Sequence, residues 1–258
     1  MWLRCRISAK PTHFITFYEI AHPPKGANFI NTTMKKLSLI IALMTMSFFG
    51  FSQDWFGFNR YKADNEKIIA SKNYPKVVFM GNSITDNWAY FHPDFFTSNN
   101  FCGRGIGGQT SAQMLVRVYD DVVNLHPKAV VIMAGTNDVA HNTYWVEPDQ
   151  VVENIKAMCN IAKANGITPI ISSIPPCNGF VWRTEIKDAG QTIVNINNKL
   201  KEYAKANKLE YVDYHAAFVD ENLGFPLTLS DDGCHPLPDT YYTMEEMVLK
   251  AIKKVVKK

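Results

Sequence analysis

The stretch Val77-Val78-Phe79-Met80-Gly81-Asn82-Ser83-Ile84 decides which fold the rest of the chain can adopt. Four apolar residues are followed at once by small and polar ones, a pattern typical of a buried strand that ends at a surface. A serine in that position would be exposed beyond the end of the strand. We therefore predict a first strand at 77–80 and treat Ser83 as a candidate functional residue.

Further apolar segments follow along the chain, and amphipathic segments alternate with them. The other predicted strands are 101–104, 129–133, 168–172 and 210–213. The predicted helices are 112–125, a segment through 151–162 that ends at Asn165-Gly166, 192–206 and 241–256. Strands that are apolar on both faces are typical of parallel sheets covered by helices on each side. The alternation predicts an α/β fold, a doubly wound sheet of about five parallel strands.

Four polar stretches are candidates for a shared site. Besides Gly81-Asn82-Ser83, they are Gly107-Gly108-Gln109-Thr110, Gly135-Thr136-Asn137-Asp138 and Asp232-Gly233-Cys234-His235. Sites in doubly wound sheets lie beyond the carboxyl ends of the strands, so these stretches can gather at one edge. A serine needs a base to act as a nucleophile, and an Asp three residues before a His can orient that base. The residues themselves predict a Ser–His–Asp hydrolase site.

In order and spacing, the four stretches resemble the sequence blocks of the SGNH or GDSL-type hydrolases. The branch most similar to this chain contains platelet-activating-factor acetylhydrolase subunits and bacterial acyl esterases. The resemblance implies a flavodoxin-like doubly wound sheet, the SGNH hydrolase fold. It also implies that Ser83 is the nucleophile, His235 the base and Asp232 its orienter. Asp231 is a competing orienter, but only Asp232 has the family's spacing.

The same resemblance implies an oxyanion hole for the tetrahedral intermediate. Its donors would be the backbone N–H groups of Ser83 and Gly108 and the side-chain amide of Asn137. Gly105 and Gly107 are nearby alternatives for the second donor. Each position also has a structural interpretation: Ser83 as a helix N-cap, Gly108 as a tight turn and Asn137 as a turn residue.

One block departs from the family pattern, and one loop lies outside the blocks. The usual Gly-Asp-Ser is Gly81-Asn82-Ser83 here, so Asn82 keeps an acceptor but lacks the charge. The loop after the fourth strand carries Trp182 and Arg183, which are candidate substrate-binding residues. They could line the acyl or leaving-group pocket, or they could be a packed aromatic and a surface cation.

The N-terminal region differs from the rest of the chain. Residues 1–33 show neither helical nor strand periodicity, and we expect them to be a non-native upstream extension. Met34 is followed by Lys35-Lys36, an apolar run over 37–51 and Ser52-Gln53. This order predicts a signal peptide at 34–52 and a hydrolase domain at 53–258. A transmembrane anchor is the alternative, but fifteen residues are short for a span.

Charge and cysteine content limit the expected partners. The whole chain has a formal net charge of +3, but residues 53–258 hold 21 basic and 23 acidic residues, a charge of −2. Without a basic patch, we expect neither nucleic acid nor an anionic membrane surface as a partner. The four cysteines of this part match no zinc pattern, so no metal is expected. Cys102 and Cys159 are expected to pack as small hydrophobic residues, whereas Cys177 and Cys234 could form a disulfide.

These observations predict a secreted or periplasmic serine esterase that needs neither metal nor cofactor. Its substrate would be a small-molecule or glycan ester with a short acyl group, with acetyl as the first choice. A phospholipid or lysophospholipid acylhydrolase is an alternative, and so is a non-catalytic glycan-binding module on the same fold. A phosphate-binding flavodoxin-like module fits less well, since the loop after the first strand is poor in Ser and Thr. The oligomeric state stays open.

Overall fold

The computed structural model describes residues 54–256, so the predicted extension and signal peptide lie outside the described residues. The strands are β1 Val77–Gly81, β2 Phe101–Gly105, β3 Ala129–Ile132, β4 Thr168–Ser172 and β5 Glu210–Val212. They form one parallel sheet in the order β2-β1-β3-β4-β5. The α/β prediction is therefore confirmed, and each predicted strand is correct to within one residue at its ends.

Helices connect the strands and cover the sheet. They are α1 Phe58–Ser71, α2 Ser83–Phe91, α3 Pro93–Asn99, α4 Ser111–Val116, α5 Val118–Asp121, α6 Thr136–Val139, α7 Pro148–Ala164, α8 Ala189–Ala206, α9 Tyr214–Phe218 and α10 Thr240–Val255. A 3-10 turn lies at Val123–Leu125. Within residues 54–256, no helix is both long and apolar enough to cross a membrane.

The two faces of the sheet belong to two separate apolar clusters. Val78 and Met80 of β1 pack in a cluster with residues of α7 and α8, whereas Val77 and Phe79 pack in another with residues of α2 and α10. Successive strand side chains point to opposite faces, so an uninterrupted apolar run supplies both clusters. Full burial of one such side chain stabilises the fold by about 1.5–3 kcal/mol.

The predicted helix at 112–125 is wrong as a continuous element. The segment forms α4, α5 and the 3-10 turn, with a break at Arg117. The Arg117 side chain is fully buried and donates to the carbonyl oxygens of Gly81 and Arg104 at 3.0 and 2.9 Å and to the Asp121 carboxylate at 2.6 Å. A buried cation must find acceptors, and here it links the carboxyl ends of β1 and β2. The apolar pattern cannot show this break because it depends on contacts distant in the chain.

Candidate active site

The candidate site lies at the edge where the order of the strands reverses. After β1, the chain passes to β2 on one side and then to β3 on the other. This reversal opens a crevice beyond the carboxyl ends of the strands, where ligands of doubly wound sheets bind. Ser83 follows β1, Gly108 follows β2 and Asn137 follows β3. The sheet topology therefore brings three predicted blocks to one edge.

Ser83 is the first residue of α2, and Asn82 is the N-cap. The Asn82 side-chain oxygen accepts from the Ile84 backbone N–H at 3.3 Å. The alternative interpretation of Ser83 as the N-cap is therefore wrong. Asn and Asp are about equally good N-caps, so Asn82 can fulfil this role without the charge of the usual Asp. Ser83 then lies where the helix dipole and free N–H groups favour a developing negative charge.

Ser83, His235 and Asp232 form a continuous line of hydrogen bonds. The Ser83 Oγ lies 2.8 Å from the His235 Nε2, and the His235 Nδ1 lies 2.7 Å from the Asp232 Oδ2. A carboxylate only accepts, so the Nδ1 carries the proton and the Nε2 is left to accept from the serine hydroxyl. This tautomer is the one that a general base next to a serine nucleophile requires.

The turn at 230–235 is built around the Asp232 carboxylate. Its Oδ1 accepts from the backbone N–H groups of Cys234 and His235 at 2.9 and 2.7 Å and from the Ser230 hydroxyl at 3.2 Å. Partial burial acts to raise the pKa of Asp232, but the hydrogen bonds from His235 and Cys234 outweigh it and lower that pKa below its ordinary value. Asp232 therefore stays ionised beside the imidazole. Asp231 is exposed.

Hydrogen bonds also connect the blocks that follow β1, β2 and β3. The Ile106 N–H donates to the Gly81 carbonyl at 3.2 Å, and the Gln109 N–H closes a turn onto the Ile106 carbonyl at 3.3 Å. Gly108 occupies the third position of that turn with φ +77°, a value that favours glycine. The Gln109 carbonyl accepts from the buried Asn137 Nδ2 at 2.9 Å.

The neighbouring glycines differ from Gly108 in their surroundings. A Cβ on Gly105 would lie 2.2 Å from the Asp86 backbone nitrogen, so this glycine allows β2 to approach the start of α2. A Cβ on Gly107 would lie 4.0 Å from the Ser83 Cβ, and one on Gly108 would meet nothing within 4 Å. Gly105 thus has a packing role, Gly107 lies beside Ser83, and Gly108 faces open space.

The block after β3 is fixed by hydrogen bonds to the side chain of Asp138. This buried carboxylate accepts from the Ser111 backbone N–H at 2.8 Å and from the Ser111 hydroxyl at 2.6 Å. The Asn154 amide donates to the same hydroxyl at 2.9 Å. Asp138 therefore joins the starts of α4 and α6 and fixes the backbone that carries Asn137.

The loop after β4 contacts the site through Trp182. Its ring centroid lies 5.9 Å from that of His235, and its indole N–H donates to the Asn142 side-chain oxygen at 3.0 Å. Arg183 instead joins two loops, since its guanidinium donates to the His141 carbonyl at 3.2 Å and to the Glu185 carboxylate at 2.7 Å. The structure thus places Trp182 beside the predicted base and gives Arg183 protein partners.

Sequence reasoning missed Asn142. Its side-chain amide donates to the Asn137 Oδ1 at 2.8 Å and to the Gly108 carbonyl at 3.4 Å, so it touches two of the predicted oxyanion residues. No local motif marks this residue. The one available signal was its position five residues after Asn137, within the loop that leaves the same block.

The cysteines near the site are free thiols. Among the described residues, Cys102, Cys159, Cys177 and Cys234 are all buried and unpaired, so the suggested Cys177–Cys234 disulfide is absent from the structure. A hydrogen bond with Cys177 and burial raise the pKa of Cys234 well above its ordinary value. Its thiol is thus protonated at neutral pH and a poor nucleophile.

This combination of a parallel sheet and a Ser–His–Asp line at its carboxyl edge is the arrangement of a serine ester hydrolase. Residues 79–242 match the model of the GDSL-like lipase/acylhydrolase family, and the chain belongs to that family. It is a carboxylic ester hydrolase. The resemblance inferred from the four sequence blocks is therefore confirmed.

Individual proteins resemble this chain in sequence or in fold. A GDSL-like lipase from Bacteroides thetaiotaomicron is 45% identical, with a TM-score of 0.75, and the match covers 78% of this chain and 99% of that one. A catalytic mutant of an acetylxylan esterase from Geobacillus stearothermophilus has the same fold at 18% identity, with a TM-score of 0.54 over 69% and 94% of the two chains. An uncharacterized lipoprotein of Bacillus subtilis is 36% identical over 75 residues. That match spans 28% of this chain and 31% of the lipoprotein.

Proposed function

We propose that this chain hydrolyses short-chain O-esters, acetyl esters above all, with Ser83 as nucleophile, His235 as general base and Asp232 as its orienter. One observation carries the proposal: the Ser83–His235–Asp232 line, with distances of 2.8 and 2.7 Å, which satisfies the geometry of base-activated serine attack. The family supports an ester as substrate.

The proposed reaction uses these contacts. The Ser83 Oγ attacks the ester carbonyl while its proton passes to the His235 Nε2, and the carbonyl electron pair moves onto oxygen. The backbone N–H groups of Ser83 and Gly108 and the Asn137 amide stabilise that oxyanion. Collapse breaks the bond to the alcohol, which leaves with the proton from His235. Water then attacks the acyl-serine by the same steps and releases the carboxylic acid.

We favour a carbohydrate as the alcohol part of the ester. The loop that carries Asn142 also exposes Tyr144 and Trp145, and flat exposed aromatic faces bind sugar rings. The Trp145 ring stacks on His141 at 4.1 Å and borders a cavity of about 230 Å³ whose lining is half apolar and includes the carboxylates of Glu147 and Asp188. Carboxylates beside an aromatic face suit sugar hydroxyls. The acetylxylan esterase of the same fold supports this choice.

A substrate panel combined with a serine-directed probe tests the proposal. Wild-type protein should hydrolyse p-nitrophenyl acetate faster than longer acyl esters and should release acetate from acetylated xylan faster than from acetylated lysophospholipid. A fluorophosphonate should label Ser83, as mapped by mass spectrometry. Ser83→Ala should abolish labelling and lower kcat/KM by at least about 10⁴-fold, with thermal unfolding unchanged.

The matched control for this variant is Ser98→Ala, which removes an exposed hydroxyl on α3. It should keep full activity. Turnover by Ser83→Ala close to that of the wild type would refute the assignment of the nucleophile. A preference for lysophospholipid would favour the alternative acylhydrolase, and binding of xylan without turnover would favour a non-catalytic module.

We further propose that the protein is exported, with cleavage between Ser52 and Gln53. The basic start at Met34 and the apolar run that follows support this location, as does the likeness to a lipoprotein. Mass spectrometry of the protein purified from its own cells should find Gln53 at the N-terminus. Recovery of residues 1–33 in the mature protein would contradict the proposal.

A further inference from the structure

Asn142 lies between two groups of the site whose hydrogen-bonding polarity is fixed. At one end, the Trp182 indole N–H can only donate, and it points at the Asn142 Oδ1 at 3.0 Å. At the other end, the Gln109 carbonyl can only accept, and it receives the Asn137 Nδ2 at 2.9 Å. The two amide side chains between these ends meet through the Asn142 Nδ2 and the Asn137 Oδ1 at 2.8 Å.

These fixed ends determine how both amides are oriented. If the Asn142 side chain were turned over, its NH₂ group would face the Trp182 N–H, donor against donor. If the Asn137 side chain were turned over, its oxygen would face the Gln109 carbonyl and its NH₂ group would face the Asn142 NH₂ group. Every donor along the line meets an acceptor in only one arrangement. Reversal of Asn137 would leave buried polar atoms unpaired, whereas reversal of Asn142 would set like groups against each other at both ends of its exposed amide.

That arrangement matters because an amide nitrogen carries two hydrogens. One hydrogen of the Asn137 NH₂ group is bound by the Gln109 carbonyl, and the other is left to donate to an oxyanion. A reversed Asn137 would present an oxygen there and repel the developing charge. We propose that Asn142, held by Trp182, is a positioning residue that keeps the Asn137 NH₂ group directed at the oxyanion. This inference rests on the proposed function.

The location of Asn142 sets the size of the expected effect. Its side chain is exposed, so its removal should not cost folding, and water can replace part of its bond to Asn137. Complete loss of one oxyanion donor lowers kcat by about 10²–10³-fold. Since Asn142→Ala loosens the donor but retains it, we expect kcat to fall by roughly tenfold with little change in KM. Asn142→Asp places an acceptor against the Asn137 oxygen and should be worse than Ala.

Graded substitutions separate positioning from general damage to the loop. Asn142→Gln retains an amide and should recover part of the lost kcat. Trp182→Phe keeps a ring beside His235 but removes the indole N–H, so kcat should fall by only about threefold while the Gln109 end still orients Asn137. Thr143→Ala is the matched control, since it truncates the next exposed side chain of the same loop.

A double-mutant cycle decides the proposal. If Asn142 acts through Asn137, then Asn142→Ala should change kcat by less than about twofold in an Asn137→Ala background, although it lowers kcat by roughly tenfold in the wild type. The labelling rate of Ser83 by a fluorophosphonate, whose phosphoryl oxygen stands in for the oxyanion, should follow the same pattern. Equal losses in both backgrounds, or an Asn142→Ala enzyme with unchanged kcat, would overturn the proposal.

The fluorophosphonate experiment also separates this inference from the proposed function. A wild-type protein that is never labelled at Ser83 contradicts the serine mechanism, and the positioning role fails with it. A wild-type protein that is labelled, together with an Asn142→Ala variant that is labelled equally fast, contradicts the positioning role alone.

Discussion

The two halves of the candidate site are held in place by different means. The strand-exit group, which consists of Ser83, Gly108 and Asn137, follows β1, β2 and β3 and is fixed by contacts between elements distant in the chain. The acid–base turn at 230–235 is fixed mainly by its own hydrogen bonds to Asp232. Asn137 is 2% exposed, whereas the His235 side chain is 27% exposed.

This difference decides what a substitution in each half would do. In the turn, one carboxylate both shapes the backbone and orients the imidazole, because its two oxygens have separate partners. In the strand-exit group, the backbone is fixed by the sheet and by Asp138, and we propose that the Ser83 and Asn137 side chains contact the reacting ester. In the turn, a single substitution of Asp232 should therefore be able to keep the backbone shape while it changes the orientation of the imidazole.

Of the substitutions that distinguish the two halves, Asp232→Asn in the turn should have the larger effect on kcat. An Asn oxygen can still accept from the Cys234 and His235 N–H groups, so the turn should keep its shape and thermal unfolding should change little. The amide NH₂ group would then face the His235 Nδ1 and favour the tautomer that cannot accept from Ser83. We expect kcat to fall by about 10⁴-fold. Steady-state kinetics and calorimetry on the same preparation measure the two effects.

The neighbouring Asp231→Asn is the matched control, and it should keep full activity. Asp232→Ala should lose both roles of the carboxylate and unfold at a lower temperature than Asp232→Asn. If Asp232→Asn instead unfolded at as low a temperature as Asp232→Ala, the two oxygens of Asp232 would not have separate roles in backbone shape and imidazole orientation.

The same difference explains what could be predicted from the sequence. The five strands were predictable because a short apolar run bounded by polar residues indicates a strand that is buried on both faces of the sheet. Asp232 and His235 were predictable as a pair because three residues of one turn suffice to bring them together. The break at Arg117 and the contacts of Asn142 could not be predicted, because each depends on partners brought close only by the finished sheet. The alternative interpretation of Ser83 as an N-cap is wrong because the adjacent Asn82 occupies that position.

A smaller effect, of about 10²–10³ in kcat, is expected for Asn137→Ala. The Asn137 amide has two roles in the structure: it donates to the Gln109 carbonyl, and we propose that it donates to the oxyanion. Loss of the first role should lower the stability by about 1–3 kcal/mol, since a buried carbonyl loses its donor. Loss of the second should lower kcat with a smaller change in KM, because the oxyanion exists only in the transition state.

Asn137→Asp sharpens this prediction beyond what Ala can show. If Asn137 served only as a turn residue, Asp would be a mild replacement, because both side chains support turns. In this structure, a carboxylate would face the Gln109 carbonyl and the developing oxyanion with oxygen atoms alone, so Asp should reduce kcat at least as much as Ala. The exposed Asn198→Ala on α8 is the control and should leave kcat and the unfolding temperature unchanged. An Asn137→Asp enzyme with near-wild-type kcat would show that Asn137 only shapes its turn and does not stabilise the oxyanion. The strand-exit group would then differ from the acid–base turn, where Asp232 has both kinds of role.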